Sequence, residues 1–186
     1  MRDNQFELEM YPSFRPGTYA YVSAAAGPDR VLYPRYRYAA DLYQSIGSGF
    51  EASAGMRRLG FDARTNIYLA ALSKYVGNWL LNGKIFYVPD RTGKSSTSYH
   101  GSFRRYFGAD GTNYVGLRYA RGLARDEVRN LNDFEVLTSD TVAAEFNAII
   151  RRRLVLQISG GTSRQNRINQ LALRQHSVSV GAGWRF

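Results

Sequence analysis

Apolar and polar residues alternate with a period of two along most of this chain, in segments separated by glycine, proline and asparagine. Successive side chains of an extended strand point to opposite faces, so this rhythm predicts β-strands with one apolar and one polar face, and few helices. Phe6, Leu8 and Met10 alternate with Gln5, Glu7 and Glu9, and beyond Arg15-Pro16-Gly17 the residues Tyr19 and Tyr21 alternate with Thr18 and Ala20. Tyr36, Tyr38, Ala40 and Leu42 oppose Arg35, Arg37, Ala39 and Asp41; Phe50, Ala52, Ala54 and Met56 oppose Glu51, Ser53, Gly55 and Arg57. Strands near 66–76 and 79–88 meet at Val76-Gly77-Asn78-Trp79, which has the glycine and asparagine of a tight hairpin. The second of them sets Trp79, Leu81, Gly83 and Ile85 against Asn82 and Lys84. Two more strands flank Gly108-Ala109-Asp110-Gly111, and others are expected near 139–150, 154–159 and from His176 to Phe186, for a total of eleven.

The connections carry a second regularity. Short ones, at 15–17, 46–49, 77–78, 108–111 and 151–153, take turns with longer ones at 27–34, 60–65, 89–95, 122–138 and 160–175. A soluble sandwich has no reason to gather its long loops at one end, whereas a barrel in an outer membrane has short periplasmic turns and longer extracellular loops. The expected fold class is therefore all-β, a transmembrane antiparallel up-and-down β-barrel occupying residues 1–186 as one domain, located in the bacterial outer membrane. The non-alternating stretch Glu127 to Leu131 suggests a short helical or plug-like insert within 122–138.

Composition agrees. The longest apolar run, Ile67 to Leu72, is far below the roughly 20 residues of a membrane helix. Mean hydropathy is -0.39, and a barrel needs only an outward apolar band to reach such a value in lipid. The inward positions then line a lumen. The bases there are Arg35, Arg37, Arg57, Lys74, Lys84, Arg104, Arg118 and Arg185, and the acids are Glu7, Glu9, Asp41, Glu51 and Glu145. Cross-strand ion pairs are expected among them, with a mild excess of cations that favours small anions. Tyr19, Tyr21, Tyr36, Tyr38, Phe50, Tyr75, Trp79, Tyr106, Phe107, Tyr114 and Trp184 fall near strand ends, where interfacial aromatic girdles sit.

The net charge of +10 has one dense block, Arg151 to Arg153, and is otherwise spread singly, so no nucleic-acid partner is expected. Cations of the longer loops, Arg30, Arg64, Arg91, Lys94, Arg125, Arg129, Arg164, Arg167 and Arg174, suit the phosphates of outer-membrane lipid and lipopolysaccharide. Cysteine is absent and the two histidines, His100 and His176, are isolated, so neither a metal site nor a cofactor is implied. His176 opens the last strand beside a long loop. His100 and Ser102 share a strand face and resemble the His-x-Ser pair of outer-membrane lipid A deacylases, but no acid follows in phase to orient the histidine. A lipid- or polysaccharide-modifying enzyme is thus the rival reading, and a soluble all-β binding module a third.

The last strand ends Ser179-Val180-Gly181-Ala182-Gly183-Trp184-Arg185-Phe186. Its polar residue, glycine and two aromatics, Ser179, Gly181, Trp184 and Phe186, resemble the C-terminal signal of outer-membrane proteins, which offers an edge for strand addition by the barrel assembly machinery. Val178, Val180, Ala182, Trp184 and Phe186 are then expected to face lipid.

Longer stretches resemble the YaiO family of outer-membrane barrels: Met10 to Tyr21, Tyr33 to Arg37, Leu42 to Ser53, Lys74 to Trp79, Arg105 to Gly108 and Asn113 to Arg118. The resemblance implies an integral outer-membrane protein of a Gram-negative cell, structural or porin-like, with a link to surface polysaccharide and its export partners. It implies no catalytic residue. Relative to that family the N-terminal strands and a signal peptide are missing. Single-chain bacterial barrels have even strand numbers, so an odd number of strands is expected before Met1, for 12 or 14 in the whole.

Overall fold

Each alternating segment is a strand in the computed structural model, which describes residues 4–27, 34–61, 64–89, 95–108, 111–122, 136–150, 153–167 and 172–184. The strands are β1 (Phe6–Met10), β2 (Ser13–Arg15), β3 (Thr18–Ala26), β4 (Tyr36–Gly47), β5 (Phe50–Gly60) and β6 (Arg64–Val76), followed by β7 (Trp79–Val88), β8 (Ser96–Tyr106), β9 (Tyr114–Arg121), β10 (Val136–Ile150), β11 (Leu154–Arg167) and β12 (Leu173–Trp184). They form one antiparallel sheet in the order β1-β3-β4 and then consecutively to β12, with β2 paired to β3 off that path.

The sequence leads to eleven strands and the structure has twelve among the described residues. The addition is the three-residue β2. Both β1 and β2 pair with β3, at Met10↔Val22 and Ser13↔Tyr19. Pro12 lies between them and has no N–H to give a ladder, so one interrupted strand is split in two. Its carbonyl still accepts from the Ala20 N–H at 2.9 Å.

Two connections expected to be long are short, because strands continue through them. The polar run after Ser159 read as loop, yet β11 keeps its ladder with β10 as far as Arg167↔Val136, leaving 168–172. Likewise β5 and β6 leave only 61–63, while the 108–111 turn widens to 107–113. Backbone pairing tolerates polar side chains once they lie beyond the hydrocarbon, and β10, at 15 residues, exceeds the roughly 9–11 needed to cross it. Residues 136–138 belong to β10; the rest of the expected insert, with Glu127 to Leu131, lies outside the described residues.

Turn chemistry fixes the register at the tight end. Ser48 and Gly49 have φ of +50° and +75°, both left-handed, as a two-residue hairpin twisted with its strands requires.

Packing divides the described residues into two compact units. The first takes the chain up to Leu72 and from Lys84 to Ser98; the second takes Ser73–Gly83, Tyr99–Gly122 and the strands from Val136 onward. In the first, Leu59, Ile67, Leu69, Phe86 and Val88 form a buried apolar cluster joined by Phe61, with Ile67 only 2% exposed. Each buried side chain of this kind contributes about 1.5–3 kcal/mol. The runs Ile67–Leu72 and Ile85–Val88 are apolar without a break, and in an alternating chain an unbroken run means a strand apolar on both faces.

Candidate functional site

Register separates two faces in each unit. In the first, exposed Phe6, Leu8, Met10, Tyr38, Leu42 and Met56 share one face, and in the second, exposed Val142, Phe146, Ile158, Val178, Val180 and Trp184 share one. The opposite face of each carries the charges. In the first unit Glu7, Ala25, Arg37 and Leu59 form one cross-strand row, and Arg37 bridges to Glu7 two strands away over the small side chain of Ala25. The next rows place Glu9 beside Ser23, and Tyr21 beside Asp41 beside Gly55. Asp41 is 2% exposed and lies 3.6 Å from the Arg57 guanidinium. A methyl at Gly55 would stand 2.0 Å from Asp41 Oδ1, so the glycine makes the space the carboxylate occupies.

Tyrosines continue this face. Tyr19 stacks on Tyr43 at 4.7 Å and donates to Glu51 at 3.1 Å, and Tyr21 donates to Glu9 at 2.8 Å. Tyr11, Tyr19, Tyr21, Tyr43, Asp41 and Arg57 together line a pocket of 370 Å³. Arg57 and Lys84 approach the Phe86 ring at 5.9 and 5.6 Å, where the polar surface gives way to the apolar cluster.

In the second unit one carboxylate holds two cations. Glu145 accepts from Arg104 Nε at 2.7 Å with one oxygen and lies 3.4 Å from Arg118 Nε with the other. Arg104 and Glu145 flank Gly116 in register, and a methyl on Gly116 would meet both side chains at 3.0–3.1 Å. Arg104 also covers the Tyr114 ring at 4.6 Å. His100 and Ser102 share this face and stand across from Ala120 and Arg118 of β9.

The model of the YaiO membrane beta barrel domain matches residues 1–127. The chain belongs to the YaiO family of membrane β-barrels. Solved structures with the same fold include an anion-selective porin from Comamonas acidovorans (TM-score 0.54, 15% identity, 96% of this chain and 54% of that one). Another is the NanC porin (TM-score 0.56, 10% identity, 99% of this chain and 94% of that one). At these identities the likeness is one of fold, and the chain spans about half the length of the Comamonas porin. No curated protein matches the chain.

Within this YaiO family fold each unit presents a charged face opposite an apolar one. The structure places Arg37, Asp41, Glu51, Arg57 and Lys84 on the charged face of the first unit and Arg104, Arg118 and Glu145 on that of the second; Arg35 lies just before β4, in step with Arg37. Lys74 does not join them. Its neighbour Ser73 bonds to Asn82 across the hairpin, which turns Lys74 to the opposite face, close to the 77–78 turn where a long side chain reaches the interface. Arg185 and Phe186 lie outside the described residues.

Among the described residues the first unit sets Arg35, Arg37, Arg57 and Lys84 against Glu7, Glu9, Asp41 and Glu51, and the second sets Arg104 and Arg118 against Glu145, so the turning away of Lys74 takes one cation from the expected excess. Tyr19 and Tyr21 of the first unit and Tyr106 and Tyr114 of the second also leave the expected girdle, since their register puts them on the charged face of their unit. Tyr19, flanked by Thr18 and Ala20, alternates equally well in either phase, so only the partner strand decides. Gly55 and Gly116 escaped the sequence reading, although a glycine inside a strand is itself a sign of close approach. Ser179 and Gly181 lie on the face opposite Ile158 and Val180, while Trp184 is 59% exposed on the apolar face with Ala182, Val180 and Val178; His176 lies on that face within β12, opposite Thr162.

Proposed function

We propose that the chain is a porin-like conduit of the bacterial outer membrane, without catalytic activity, whose lumen engages saccharide units of surface polysaccharide. The observation that carries the conduit is the run of charged, paired side chains on one face of strands whose other face is apolar. Charges cost little when they line water and are prohibitive in a dry core. The saccharide reading is supported by the pocket of four tyrosines with Asp41 and Arg57: flat rings stack on the C–H faces of a sugar while the carboxylate and guanidinium bond its hydroxyls. The non-catalytic reading is supported by the YaiO family match and the porin fold of the solved neighbours. Assembly through the barrel assembly machinery is proposed for the last strand, with Ser179, Gly181, Trp184 and Phe186 as its signal. Polysaccharide export partners remain part of this proposal.

The test is heat-modifiable mobility of the protein folded in detergent, followed by conductance in planar bilayers. A shift on boiling together with single-channel steps reduced by added oligosaccharide is expected. Solubility in plain buffer with no shift would overturn the conduit, and steps insensitive to oligosaccharide would remove the saccharide reading alone.

A further inference from the structure

One row of the lipid-facing surface is charged where apolar residues are the rule. Register carries it across five strands of the second unit: Tyr99 pairs with Arg121, Arg121 with Asp140, Asp140 with Arg164, and Arg164 with Arg174. Alternation puts these residues in step with Phe103, Leu117, Val142, Phe146, Ile158 and Val180, so the row shares their face.

Its height follows from strand geometry. Arg164 is ten residues beyond Leu154, the first residue of β11 after the tight 151–153 turn. At roughly 3.3 Å per residue that is about 33 Å of strand. A tilt of roughly 40° reduces it to about 25 Å, the depth of a barrel's apolar band. Leu154, Leu156 and Ile158, with Trp184, Ala182, Val180 and Val178 opposite, cover about the first 15 Å of that depth; Thr162 with His176 follows, and the arginines sit at its far edge on the side of the longer connections. This is the headgroup level of the outer leaflet.

The charges there do not balance. Asp140 Oδ1 is already taken, by the Tyr119 hydroxyl at 3.0 Å and by Arg121 at 3.8 Å. Arg164 and Arg174 are exposed, face each other directly, and have no ion-pair partner among the described residues. Like charges opposite one another on a ladder repel, unless an anion lies between them. Guanidinium forks match phosphate bidentately, and the hydroxyl-bearing Thr162 and the imidazole of His176 form the next pair on the same face.

We propose that Arg164 and Arg174, with Arg121 and Tyr119 beside them, hold the phosphate of a phosphorylated lipid headgroup in the outer leaflet. The site rests on the outer-membrane reading of the fold but not on the conduit being open. It holds the barrel at a set depth and orientation in that leaflet.

The test uses the folded chain in nanodiscs of phosphatidylcholine, with and without bisphosphorylated lipid A, reading the temperature of heat-modifiability and lipid binding. Lipid A is expected to raise that temperature, and Arg164→Gln or Arg174→Gln to weaken binding about fivefold each. Arg153→Gln, which removes the same charge at the opposite end, is expected to leave binding unchanged. Equal stabilisation by dephosphorylated lipid A, or by inorganic phosphate alone, would overturn the proposal, as would loss of binding in Arg153→Gln equal to that in Arg174→Gln. A wild-type protein that shows no heat-modifiable band fails the outer-membrane reading itself. One that keeps its band while both arginine variants bind lipid A normally fails only this site.

Discussion

At the residue scale, Gly116 lets Arg104 and Glu145 meet across the strand between them, while Gly55 leaves room for the Asp41 carboxylate of the adjoining strand, and the environments of the two glycines differ. A methyl at Gly55 meets the Asp41 carboxylate at 2.0 Å and the Ala40 carbonyl oxygen at 2.6 Å, and the carbonyl is backbone that cannot turn aside. At Gly116 the nearest atoms belong to the flexible side chains of Glu145 and Arg104, at 3.0–3.1 Å. Overpacking costs about 1–3 kcal/mol. Gly55→Ala is therefore expected at the upper end of that range and Gly116→Ala at the lower, by urea unfolding from detergent. Combining Gly116→Ala with Glu145→Ala should abolish the smaller cost and leave the larger one at Gly55 untouched. Equal costs at the two positions would mean that the carboxylates, and not the backbone, set them. Neither glycine announces its charge partner locally, because the partner stands on another strand.

At the element scale, the β4–β5 hairpin was legible from its glycines, and Gly47-Ser48-Gly49 supplies the backbone freedom that closes it. A non-glycine residue in the left-handed region costs roughly 1–2 kcal/mol, more when β-branched. Gly49→Val is expected to lower unfolding stability by about that amount or more, while Ser48→Asn, a residue favoured in such turns, should raise it slightly. A heat-modifiability series checks both, and a neutral Gly49→Val would show that the turn can relax. The strand ends were less legible. The stretch Thr162 to Arg167 has the polarity of a loop, and what keeps it a strand is backbone hydrogen bonding to β10, to which side-chain hydropathy is blind. Pro12 acted in the other direction, splitting a continuous segment by a missing donor.

At the scale of the whole molecule, the lumenal charge rests on a few pairs. Among the described residues, Glu145 alone pairs with Arg104 and Arg118. Glu145→Gln should therefore move the reversal potential in a salt gradient toward that of chloride, because pore charge sets ion preference. An unchanged potential would place the selectivity-determining surface elsewhere. The membrane β-barrel class and the two faces of the strands followed from alternation, because each is local: period two is a property of the extended backbone, and lipid selects an apolar face along every strand separately.

What only the tertiary structure decided are the features that join strands. The phase of Tyr19 and Tyr21, the turning of Lys74 away from the lumenal charges, the buried Asp41–Arg57 pair beside Gly55, the apolar cluster around Ile67 and Phe86, and the facing Arg164 and Arg174 all depend on which residue stands opposite which. A one-residue slip of register reverses every such relation while leaving the alternation of each strand intact, so the chain's own rhythm determines the faces and only strand pairing determines the partners.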